Sequence, residues 1–97
     1  MRRAAKVDDN QPAIVSALRQ AGARVQPIHT IGKGCPDLLI AFRGQWFVCE
    51  IKDGDKVASR RLLTPDEQRW HDEFGESAPV HVVKDLDEAL RVIGAVE

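Results

Sequence analysis

The sequence predicts an α/β domain in which a mixed β-sheet is flanked by helices, in the order α-β-β-β-α-β-α. Three observations carry that prediction. Two apolar runs, residues 38–42 and 46–51, are separated only by Arg43-Gly44-Gln45, which reads as a β-hairpin. Two stretches with helical spacing open on Thr64…Glu67 and Asp85…Glu88, each the pattern of a capping box. A short strand pattern lies between those two helices, so a helix-joined strand follows the hairpin and the sheet is expected to be mixed. At 97 residues there is room for one core, and residues 1–97 are read as a single domain.

The elements follow in order. Pro12 suits the first turn of a helix, with Asn10 or a neighbouring Asp as its cap. Ile14, Val15, Leu18 and Ala21 recur at helical spacing, and Gly22 supplies the stop. Arg24 to Ile28 is a short strand, and Thr30 to Cys35 a loop with two glycines. After the hairpin, a polar loop from Asp53 to Arg61 leads to the second helix. There Thr64 caps, Pro65 occupies the first turn, and the helix runs to about Phe74 before Gly75. Val80 to Val83 is the fourth strand. The last helix is expected to bury Leu86, Leu90 and Ile93 on one face.

Composition narrows the function classes. A hydrophobic share of 43% and a charged share of 30% suit a soluble globular domain rather than a disordered chain. The apolar run Leu38–Phe42 is far too short to span a membrane, and no apolar stretch follows the basic start Met1-Arg2-Arg3 as a secretory signal would require. Two cysteines, Cys35 and Cys49, fit a reducing compartment, so a cytoplasmic location is expected. The net charge of −1 argues at first against a nucleic-acid partner. It arises by cancellation. Residues 1–61 carry 11 basic and 6 acidic groups, whereas residues 62–97 carry 3 basic and 9 acidic. Such asymmetry can place a basic and an acidic face on one small body.

Chemistry concentrates in two fragments, Gly34-Cys35-Pro36-Asp37 before one strand and Glu50-Ile51-Lys52 at the end of the next. Period-two alternation puts Glu50 and Lys52 on one face, in file with Trp46 and Val48. In an antiparallel hairpin the start of one strand lies beside the end of the other. Asp37, Glu50 and Lys52 are therefore expected to converge. Two close carboxylates repel unless a cation lies between them, and hard oxygen ligands suit Mg²⁺ or Mn²⁺. A lysine beside that cation can orient water and neutralise a phosphate, which equips the site for phosphodiester hydrolysis. Either fragment alone is a turn or an edge-strand ion pair; the conjunction carries the signal.

The conjunction resembles the PD-(D/E)xK nuclease superfamily, with Pro36-Asp37 and Glu50-Ile51-Lys52 as the matching motifs. More narrowly it resembles the VRR-NUC family in its minimal, stand-alone phage-type form. That likeness rests on the lead-in Gly34-Cys35-Pro36-Asp37-Leu38-Leu39 and on Gln68 within Thr64-Pro65-Asp66-Glu67-Gln68, and covers roughly residues 8–93. It implies a restriction-endonuclease-like core and a DNA endonuclease that depends on Mg²⁺ or Mn²⁺. Asp37, Glu50 and the main-chain carbonyl of Ile51 would hold the metal, Lys52 would act on the water, and Gln68 would face the same site. It further implies a homodimer, similar to Holliday-junction resolvases, acting on branched or four-way DNA. The family commonly carries an acid on its first helix. Here that position falls near Gln11, so either Asp8 or Asp9 substitutes from a shifted register or Gln11 contributes through its amide or a water.

Other residues carry weaker expectations. Lys33, Arg43, Lys56, Arg60 and Arg61 lie in loops expected to flank the site, where they could grip DNA phosphates. Trp46 and Trp70 are expected to be packing anchors before they are base-stacking platforms. His29, His71 and His81 lack zinc spacing, and His71 is expected on the helix surface. Cys49 alternates into the core, while Cys35 sits in the site loop. Two further functional readings compete with the nuclease: a branched-DNA-binding module without turnover, and an interaction domain whose Asp37–Glu50–Lys52 cluster is structural.

Overall fold

A computed structural model describes residues 7–97; the basic start Met1-Arg2-Arg3 lies outside them. The chain forms α1 (Gln11–Gln20), β1 (Arg24–Pro27), β2 (Leu38–Phe42), β3 (Gln45–Ile51), α2 (Pro65–Gly75), β4 (His81–Val83) and α3 (Leu86–Ile93). This is the expected element order, with short 3-10 turns at His29–Ile31, beginning one residue before the expected Thr30–Cys35 loop, and at Ala58–Arg61, inside the expected Asp53–Arg61 loop. The strands lie in the order β1-β2-β3-β4. β1, β2 and β3 pair antiparallel, and β4 joins β3 in parallel, so the sheet is mixed.

The hairpin fixes the register. Phe42 pairs with Gln45, leaving Arg43 and Gly44 as a two-residue turn at φ 48° and 82°. Positive φ at both positions is the type I′ geometry that matches strand twist. One sheet face then carries Leu38, Ile40, Phe42, Cys49, Ile51 and Val83 into the core. Ile14 and Leu18 of α1 and Ala89 and Ile93 of α3 close over it. Leu86 differs from expectation. It is 41% exposed and borders a groove with Asn10 and Asp53, because α3 turns Ala89 and Ile93 inward and Leu90 only partly so.

Helix starts are held in three ways. Thr64 and Glu67 form the full reciprocal capping box of α2. At α3, Asp85 accepts the Glu88 N–H, but the Glu88 carboxylate reaches back past the cap to the Lys84 N–H at 2.9 Å. Asn10 occupies the cap position of α1 without a capping bond; its Nδ2 donates instead to the Lys84 carbonyl at 3.0 Å. That bond ties the start of α1 to the chain leaving β4. Trp46, expected as an anchor, is 72% exposed, since β3 begins on the sheet face that α1 and α3 do not cover. Among the described residues, no helix is long and apolar enough to cross a membrane.

Candidate active site

Asp37 sits one residue before β2 and is stitched to β3. Its N–H donates to the Cys49 carbonyl at 3.1 Å, and its Oδ2 accepts the Ile51 N–H at 2.7 Å. Glu50 lies between those two anchor points. Strand alternation sends Cys49 and Ile51 into the core and Glu50 to the opposite face. Lys52 follows on the Glu50 side, its N–H donating to the Val83 carbonyl at 2.9 Å. The three charged residues are 8%, 2% and 8% exposed. The convergence expected from the hairpin is observed.

Helix α2 completes the cluster, but not with the residue expected. Gln68 is exposed and its amide donates to Asp72 Oδ1 at 2.9 Å along the helix. The inward residue is its neighbour: Glu67 Oε1 accepts the Lys52 ammonium at 2.8 Å and the Thr64 N–H at 2.9 Å. Adjacent helical residues point about 100° apart, so a one-residue difference in phase exchanges their roles. His71, one turn further on, is also inward. Its side chain is 10% exposed, with Nε2 3.9 Å from Glu50 Oε1. The i,i+4 spacing of Glu67 and His71 was the available signal for both. The first turn of α2 is clamped by Gly34, at φ 83°, where a Cβ would overlap the Asp66 carbonyl and the Glu67 nitrogen.

The residues before α1 separate cleanly. Asp8 is half-buried near Lys52, Asp37 and Asp53. Asp9 points away, its carboxylate 3.1 Å from the Lys56 ammonium. Gln11 is 5% exposed and its Oε1 has no partner among the described residues. Asp53, also 8% exposed, had no sequence signal beyond its loop position. Of the basic residues, Lys56 and Arg60 line a concave surface with Asp8 and Asp9, and Lys33 lines another with Asp66, Arg69 and Trp70. Arg61 has a buried Nε without a partner. Arg43 does not flank the site. It lies at the hairpin tip, a five-residue strand or about 17 Å from Asp37, with its guanidinium over the Phe42 ring.

Burial sets the electrostatics. Glu50 is pushed up to about 10 by its burial, then by the Asp37 and Glu67 carboxyls, with Lys52 opposing. For Lys52 burial favours the neutral amine, but Glu67, with Glu50 and Asp8 behind it, outweighs burial and raises its pKa. Burial would raise Glu67 too; Lys52 and the Thr64 N–H instead hold it below its ordinary value. His71 is lowered by burial. Asp8 is raised by burial and, more weakly, by its acidic neighbours. Cys35 is raised by burial and by Glu50 and Asp37, which leaves its thiol unactivated; burial alone lifts Cys49 to about 12. Buried Asp8 Oδ2, Gln11 Oε1, Glu50 Oε1 and His71 Nε2 have no hydrogen-bond partner among the described residues. Among the described residues, no three Asp, Glu, His or Cys side chains form a metal-ligand group by themselves.

Comparison with family models, with curated proteins and with solved structures gives no match for this chain.

Proposed function

We propose that this chain is a DNA endonuclease with a restriction-endonuclease-like core, dependent on Mg²⁺ or Mn²⁺. The observation that supports it is the burial of Asp37, Glu50 and Lys52 together at one end of the sheet. Burying such groups is costly, and small domains seldom do so without a partner for the charge. The donor set fits a hard cation: carboxylates of Asp37 and Glu50 and the Ile51 carbonyl, with Asp8 nearby. Asp8 Oδ2, buried and without a hydrogen-bond partner among the described residues, is an oxygen such an ion would satisfy. When bound, the ion would polarise a phosphate oxygen and acidify a water. Lys52, held in place by Glu67, neutralises phosphate charge at the same edge. Lys56 and Arg60, beside Asp8, contact the DNA backbone.

Four-way, flapped, linear and single-stranded DNA incubated with Mn²⁺ test this directly. Cleavage of branched DNA by the wild type, lost in Asp37→Ala and Glu50→Ala, is expected; cleavage surviving both changes overturns the assignment. A gel shift without cutting identifies a branched-DNA-binding module. The reading includes a homodimer, one site per strand, and the open half of the sheet face around Trp46 supports a second copy. A structural ion network is the second reading, favoured by the Lys52–Glu67 pair and by the lack, among the described residues, of a three-side-chain ligand group. Under it Mn²⁺ leaves the melting temperature unchanged.

A further inference from the structure

Glu50 Oε1 and His71 Nε2 face each other 3.9 Å apart, each sealed from solvent and each without a hydrogen-bond partner among the described residues. Leaving one such atom unpaired is costly, and here two confront one another. Two lone pairs in that position would repel. We propose that His71 is a positioning residue for Glu50, carrying its proton on Nε2 and donating it to Oε1, directly on slight closure or through one water. The inference rests on the reading of Glu50 as a metal ligand. Its consequence is that Oε1 is committed to His71 and Oε2 is the oxygen turned to the cation, the arrangement by which outer partners orient metal-binding carboxylates. The helix supports this assignment. Gly34 and the Thr64–Glu67 box fix the first turn of α2, and His71 lies one turn beyond Glu67 on the same face. Lys52–Glu67 and Glu50–His71 are thus parallel rungs between β3 and α2.

Two measurements on the full chain decide it. In the metal-free protein, ¹⁵N NMR of the imidazole is expected to show His71 in its Nε2–H tautomer, a preference lost in Glu50→Ala. An Nδ1–H tautomer in the wild type, or one indifferent to Glu50→Ala, overturns the pairing. Mn²⁺ titration followed by electron paramagnetic resonance supplies the second readout. His71→Phe, which fills the space without a donor, should weaken Mn²⁺ about 10- to 100-fold, and His71→Gln, which retains a donor, should recover most of that loss. Wild-type affinity in a folded His71→Phe overturns the positioning role. If the wild type itself takes up no Mn²⁺, the nuclease reading fails, while the tautomer still decides the pairing.

Discussion

One face of the sheet buries Leu38, Ile40 and Cys49 completely beneath α1 and α3, whereas the other sets Glu50 and Lys52 beneath α2 and leaves Trp46 72% exposed. Both faces come from the same strands. Along β3, Cys49 and Ile51 belong to the core while Glu50 and Lys52, interleaved with them, belong to the site. The core side is apolar, continuous and closed by two helices. On the site side Glu50 Oε1 and His71 Nε2 are buried without hydrogen-bond partners among the described residues. The difference teaches how a chain of 97 residues can carry a destabilising cluster: the charges sit on a strand whose other edge of the pleat is fully packed.

Breaking the site side should have the largest effect on activity. Asp37→Ala or Glu50→Ala is expected to lower Mn²⁺-dependent DNA cleavage by about 10³-fold or more, with circular dichroism unchanged. On the core side the loss is in stability. Leu38→Ala should cost about 2–5 kcal/mol in urea unfolding. Trp46→Ala, on the uncovered half of the opposite face, should stay within about 0.5 kcal/mol at protein concentrations that keep the chain monomeric. Equal losses for the two would abolish the contrast between the faces.

Glu67 and Gln68 give the next contrast. Glu67→Ala removes the capping box and strips Lys52 of its partner, so at least about 1 kcal/mol of stability should be lost. Gln68→Ala removes an exposed contact to Asp72 and should fall within about 0.5 kcal/mol. A larger loss from Gln68→Ala would return that residue to the site.

The last contrast is a slope with pH. Burial raises Glu50 in the folded state above its ordinary 4.5, so its contribution to stability is full below that pH and is lost as pH rises towards about 10. The melting temperature of metal-free protein should therefore decline between about pH 5 and pH 9. Glu50→Gln should flatten the decline, and Mn²⁺ should offset it in the wild type but not in the variant. A wild-type curve already flat over that range would remove the evidence that Glu50 is strained by burial.

Local rules reach a long way in this chain. The hairpin was legible because Arg43-Gly44 lies between two apolar runs, and antiparallel pairing then obliges Asp37 to meet Glu50. The start of α2 was legible because a capping box is written in consecutive residues, Thr64 to Glu67. Alternation sent Cys49 inward. Each of these follows from backbone periodicity and hydrogen bonding within a few residues, which sequence specifies directly.

The rest depends on how elements are turned against one another. Whether α2 shows Glu67 or Gln68 to Lys52, whether His71 is buried, and whether Asp8 or Asp9 joins the carboxylates are questions of helix phase and chain direction. So too is the exposure of Trp46, which hangs on which face the two helices cover. Arg43 is expected near the site because loops adjoin every strand, but the pairing register puts it at the far end of the hairpin. By itself the sequence determined the strands, the caps of α2 and α3 and the meeting of Asp37, Glu50 and Lys52. Tertiary packing alone decided what stands opposite them, because a helix fixes the spacing of its side chains but not the direction in which the fold presents them.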